Sequence, residues 1–140
     1  MIFGHTEQYT IVEFPEQAEL IRHTGWGTLI RQRANTNNWF HIAIPTPTVL
    51  EDDISVFLQY VRLRAEVNEN ARIDLIHFRD GGNLIYSENV MLTDQIVDRQ
   101  FDNPNQQMGG GLVIAVHVQF LTGSPTGQII FRGAGARFQQ

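Results

Sequence analysis

Along this chain apolar and polar residues alternate with a period of two, and a sustained helical period is almost absent. That is the pattern of strands that bury one face. Thr10, Val12 and Phe14 alternate with Tyr9, Ile11 and Glu13, and Pro15 ends the run because proline cannot donate to a strand ladder. Glu16 to His23 fits a short strand or a helical turn through Ala18, Ile21 and Arg22. Gly25-Trp26-Gly27 breaks the chain before Thr28 to Arg31, and Asn35, Asn37 and Asn38 mark a loop before Trp39 to Ile44. Pro45-Thr46-Pro47 closes that segment. Ile54 to Val67 is the longest extended stretch, with Val61, Leu63, Ala65 and Val67 on one face and Tyr60, Arg62, Arg64 and Glu66 on the other. Such a split marks a half-exposed antiparallel strand.

Asn68-Glu69-Asn70 predicts a turn, with Arg72 to Phe78 running back. Asp80-Gly81-Gly82-Asn83 is a hairpin signal, since Gly and Asn adopt positive φ readily, and Leu84 to Tyr86 is the return arm. Residues 98–111 are polar, hold Pro104 and end in Gly109-Gly110-Gly111, so they read as a long loop. Leu112 to Leu121 is apolar on both faces and predicts a central strand; Gly123 to Gly127 turns the chain into a last strand, Gln128 to Phe138. Short strands with closely spaced turns predict one all-β domain over residues 1–140, an antiparallel β-sandwich of jelly-roll type, with a small barrel as the alternative.

The charge balance narrows the chemistry. The net charge is −5 and no block of cations exists, which argues against nucleic acid as a partner. All ten cations are arginine, so Schiff-base chemistry and lysine-dependent phosphate loops are excluded, and the lack of Cys excludes disulfides, thiolate metal sites and cysteine nucleophiles. The longest apolar run is far short of the roughly 20 residues that span a bilayer, and the first residues lack the pattern of a secretory signal, so a soluble chain is expected, with its compartment open.

The strings Gly25-Trp26-Gly27-Thr28-Leu29-Ile30 and Asn38-Trp39-Phe40-His41-Ile42-Ala43-Ile44-Pro45-Thr46-Pro47 resemble a family of small bacterial β-rich proteins of unknown function. The resemblance implies an all-β fold and carries no catalytic residues with it.

Four groups of residues are candidates for function. Trp26 and Trp39, next to Asn37 and Asn38, suit a sugar site, where an aromatic ring covers the apolar face of a pyranose and amides bond its hydroxyls. The competing expectation is that both rings fill the core. Glu51-Asp52-Asp53 could hold calcium, the one ion the sequence suggests, or could be a solvated turn. His77 and His117 lie on strands that could pair, but no His-x-His pair supplies two ligands from one strand, as a cupin-like metal enzyme would need. Structural histidines are the expectation.

The fourth group concerns assembly. Val113, Ala115, His117 and Leu121 form a second face of the apolar strand that something must cover, and Phe101 and Met108 could anchor the long loop on a neighbour. Gly133 and Gly135, on an expected edge or terminal strand, would allow close approach of another backbone. The leading expectation is therefore a non-enzymatic, self-assembling homo-oligomer, and the alternative is a carbohydrate-binding module, with calcium assistance at the acidic run.

Overall fold

The computed structural model describes the backbone of residues 2–6 and the whole of residues 10–46, 55–68 and 70–139. Among these, the strands are β1 (Ile2–Thr6), β2 (Thr10–Val12), β3 (Ala18–Thr24), β4 (Gly27–Arg33), β5 (Thr36–Ile44), β6 (Val56–Val67), β7 (Ala71–Asp80), β8 (Asn83–Leu92), β9 (Val97–Met108), β10 (Leu112–Phe120) and β11 (Thr126–Gln139). They build two antiparallel sheets. The first has the order β3-β4-β11-β6-β9, with β1 also paired to β11, and the second has the order β2-β5-β10-β7-β8. The architecture is the antiparallel, jelly-roll-like sandwich that the alternation predicts. Glu16 to His23 resolves into a 3-10 turn, Pro15–Gln17, followed by β3.

The core lies between the sheets. Phe40 of β5 meets Phe131 of β11 across it, with ring centroids 5.2 Å apart, and Phe78 of β7 meets Phe101 of β9 edge-on at 5.8 Å. β10 is central, as expected, between β5 and β7. Its inward residues Ile114, Val116 and Val118 are fully buried.

Two expectations are corrected. Residues 98–111 are not a long loop, because Val97 to Met108 is the edge strand β9, paired with β6. Its polar residues are its solvent face, while Phe101 (2% exposed) and Met108 (6%) point into the core and are not free to anchor a neighbour. Pro104 is tolerated because the β6–β9 ladder is interrupted near it, and Asn105 takes φ 63° there. Likewise β11 is not an edge. β6 lies along one side, and β4 and β1 share the other, so Gly133 and Gly135 sit inside a sheet. The backbones that approach them belong to this chain, with Gly135 opposite Arg62 on one side and His5 on the other.

Connections are tied by side chains. The Asp80 carboxylate accepts hydrogen bonds from the N–H groups of Gly109 (2.8 Å) and Gly110 (2.7 Å), joining the β7–β8 turn to the β9–β10 turn. The turns touch so closely that a Cβ on Gly110 would lie 3.1 Å from the Cα of Gly81, which accounts for glycine there. Where β8 and β9 close one side of the sandwich, Arg99 donates to Glu88 at 2.6 Å and Tyr86 donates to Glu88 at 2.5 Å. Burial, then the Glu88 carboxylate, pushes the Tyr86 phenol up to about 12.

Val116→Asp places a carboxylate in the middle of this core. Burying an unpaired charge costs several kcal/mol, against a total stability of about 5–15 kcal/mol for a domain of this kind. The variant is expected to be unfolded or insoluble by circular dichroism; an unchanged melting temperature would show that β10 is not the centre of the fold.

Candidate functional site

The site begins with an anchored asparagine. Asn38 of β5 is fully buried and points between the sheets. Its amide donates to Phe14 O (3.0 Å) and Gln32 Oε1 (2.9 Å), and its Oδ1 accepts from the N–H groups of Phe14 and Trp39, both at 3.0 Å. Two donors and two lone pairs are thus all used. Gln32, equally buried on β4, donates in turn to Thr36 Oγ1 (2.7 Å) and Asn37 O (3.1 Å). Asn38 is therefore a structural residue, and the expectation that it binds ligand is corrected.

Since side chains alternate across a strand, an inward Asn38 sends Asn37, Trp39 and His41 outward. Cross-strand pairing sets His117 of β10 beside Trp39, and places Ala115 between His41 and His77 of β7. The indole leans across β10, with its centroid 4.8 Å from the His117 ring and 5.0 Å from that of His77. β5 and β7 are two strand spacings apart, about 10 Å, so only a side chain as large as Trp39 closes that gap, and only a residue as small as Ala115 fits between them. Trp39 is half-buried, with Ala115 buried on the strand it crosses.

Around the indole lie polar groups with defined partners. His117 Nδ1 donates to Asp74 Oδ1 at 2.6 Å, which leaves Nε2 facing Asn37 Oδ1 at 3.4 Å. His41 Nε2 donates to Glu13 Oε1 at 3.0 Å, and Arg79 donates to Gly82 O at 3.1 Å. His77 is held below its ordinary pKa, first by burial and then by Arg79 and His117, so near neutral pH it keeps a donor and an acceptor for a ligand. Glu13, Trp39, His41, His77, Arg79 and Ala115 line an open cleft of about 370 Å³ on this face.

His77 and His117 thus come together, but the indole packs against both rings. Among the described residues, no group of three or more His, Cys, Asp or Glu side chains is arranged for a metal ion. Glu51, Asp52 and Asp53 lie outside the described residues. Trp26 is not near Trp39: it sits at the β3–β4 turn of the first sheet, 46% exposed, with the Arg132 guanidinium 4.9 Å from its centroid. Neither tryptophan belongs to the sealed core. Glu13, His41, Asp74 and Arg79 were missed in the sequence because they come from β5, β7 and the bend after β2, and only the pairing brings them together. His41 and Arg79 share the strand face of Trp39 and His77 in the alternation, and that was the available signal.

No family model and no curated protein sequence matches the chain. Solved structures do share its shape. The chain is similar to a CBM4 carbohydrate-binding module, with a TM-score of 0.56 over 93% of this chain and 85% of that one at 9% identity. It is similar also to the xylan-binding module CBM15, at 0.50 over 99% and 91% with 15% identity. A third likeness, to the glycoside hydrolase domain structure of Endo-D from Streptococcus pneumoniae R6, has a TM-score of 0.51 and 8% identity, covering 92% of this chain and 21% of that one. These likenesses are of fold: an antiparallel β-sandwich of jelly-roll type.

Two measurements check the site's construction. Asn38→Ala leaves Gln32 Oε1 and both backbone groups of Phe14 without their partner, so a loss of about 3 kcal/mol is expected in urea unfolding; Asn37→Ala, on the surface, should stay within about 0.5 kcal/mol. For His77 the folded pKa lies below the ordinary imidazole value, so as pH falls the unfolded chain takes up that proton first. The associated stability is present above the unfolded pKa and is lost as pH falls through it. The urea midpoint should decline below about pH 6.5, and His77→Gln should flatten the decline.

Proposed function

We propose that this protein is a carbohydrate-binding module that holds a glycan across the outer face of the second sheet. One observation carries the reading. A half-buried indole, Trp39, lies along an open cleft in mid-sheet, edged by hydrogen-bonding groups of His77, Arg79 and Glu13. A sugar needs both kinds of partner, an aromatic surface for its C–H face and fixed polar groups for its hydroxyls. The fold supports the reading as context: CBM4 and CBM15 modules share it, and the latter is described as xylan-binding. Calcium assistance remains attached to Glu51–Asp53 and is tested with the same assay.

Self-association finds no support at the positions that suggested it. The exposed face of β10 is roofed in part by Trp39, Phe101 and Met108 are core residues, and Gly133 and Gly135 pair within the chain.

A glycan array of neutral oligosaccharides, xylan fragments included, run with and without calcium, identifies the ligand. Trp39→Ala should then weaken binding of that glycan at least ten-fold by calorimetry, equivalent to about 1.4 kcal/mol, with the melting temperature little changed. Trp26→Ala should leave it unaltered. Binding by no glycan, or equal affinity in Trp39→Ala, would contradict the proposal.

A further inference from the structure

The arginines are segregated in a way that their spacing in the sequence hides. Strand alternation in the first sheet sends Arg22 of β3, and Arg31 and Arg33 of β4, to its outer face. Arg62 and Arg64 of β6, with Arg132 and Arg137 of β11, join them there. That face thus holds seven of the ten arginines. The carboxylates among them are Glu66, Asp98 and Asp102, with Glu19 at the bulge of β3. Among the described residues of this face, cations exceed carboxylates by three (seven against four), on a chain whose net charge is −5.

Two aromatic rings are set into this patch. Arg132 lies over Trp26 at 4.9 Å and Arg137 over Tyr60 at 5.9 Å. Arg132 and Arg137 are five residues apart on one strand, about 16 Å at the usual rise. Between them β11 offers Gly133 and Gly135, opposite Arg64 and Arg62 of β6. The two ends of this stretch are aromatic. Arg62 is committed to Asp98 through two bonds of 2.7 Å, and Arg132 to Glu66 at 2.7 Å. Arg64 stands opposite Asp98 of β9, and its charge helps hold that carboxyl low, without a direct hydrogen bond to it.

We propose that this face is a second binding surface, for a carboxylate-bearing polysaccharide. Guanidinium groups pair with carboxylates through two parallel hydrogen bonds, and the ring at each end offers a flat apolar surface to a pyranose. A nucleic acid fits less well. A DNA duplex carries a charge about every 1.7 Å, and the carboxylates set among these arginines repel so dense a polyanion, whereas a chain with one carboxylate per sugar can thread between them. The surface lies on the opposite sheet from Trp39 and does not depend on that cleft.

The probe is polygalacturonate, titrated into the full chain by calorimetry at low and at physiological salt, with a single-stranded oligonucleotide as competitor. The native protein should bind the polysaccharide, more weakly as salt rises. The double variant R64A/R137A should lose at least ten-fold in affinity, and Trp26→Ala should lose several-fold. Trp39→Ala should bind like the native chain, which separates this surface from the cleft on the other sheet. Each variant is checked for an unchanged melting temperature, and the single variants R64A and R33A stand in if the double variant fails to fold. Three results overturn the proposal: no binding at low salt, binding indifferent to the arginines, or displacement by the oligonucleotide at equal charge concentration.

Discussion

The second sheet takes its orientation from one buried amide pair. Asn38 and Gln32 sit between the layers where the chain passes from β4 in the first sheet to β5 in the second. In a strand of period two, the register of one residue decides the facing of all the others. A slip by one residue would turn Trp39 and His41 into the core and Phe40 and Ile42 out to water. Hydrophobicity alone guards weakly against that slip, since Trp39 is itself a large apolar residue. The amide pair guards against it strongly, because an exposed Asn38 would leave Gln32 Oε1 buried without a partner and would break both of its bonds to the Phe14 backbone.

From that constraint the two outer faces acquire different characters. On the second sheet the anchored register lays a single indole over Ala115 and surrounds it with imidazoles held by carboxylates, His117 by Asp74 and His41 by Glu13. On the first sheet, the same alternation collects arginines, with Tyr60 half-buried among them and Trp26 exposed at the β3–β4 turn. A protein with a net charge of −5 thus carries one cationic face. Such a division is compatible with two kinds of ligand on one small sandwich, each met by a rigid sheet and not by loops.

The fold was largely legible because alternation and turn chemistry agree over most of the chain. Asp80-Gly81-Gly82-Asn83 turns where its residue types require, and β10 is central as its two apolar faces imply. β9 was hidden for a physical reason: an edge strand with an interrupted ladder tolerates Pro104, Asn103 and Asn105, residues that signal a loop anywhere else. Val97, Phe101 and Met108 all face the core only because the register with β6 shifts between Phe101 and Met108, which the alternation alone does not give. The glycine before Thr28 has an equally local cause, since a Cβ on Gly27 would lie 2.4 Å from the Phe131 carbonyl oxygen at φ +151°. Of the candidate site, Trp39 and Asn37 were legible as neighbouring aromatic and polar residues. Asn38 was not, because the same amide serves a sugar or a core, and only burial distinguishes the two.

The account rests on the outer face of the second sheet being the glycan's seat, and ring signals in a two-dimensional NMR titration test that directly. With the glycan selected by the array as titrant, the account predicts that the Trp39 indole and the His77 and His117 imidazole resonances shift together and saturate with the binding curve, while the Trp26 indole stays in place. Saturating shifts at Trp26, with those of Trp39 and His77 unmoved, would contradict it.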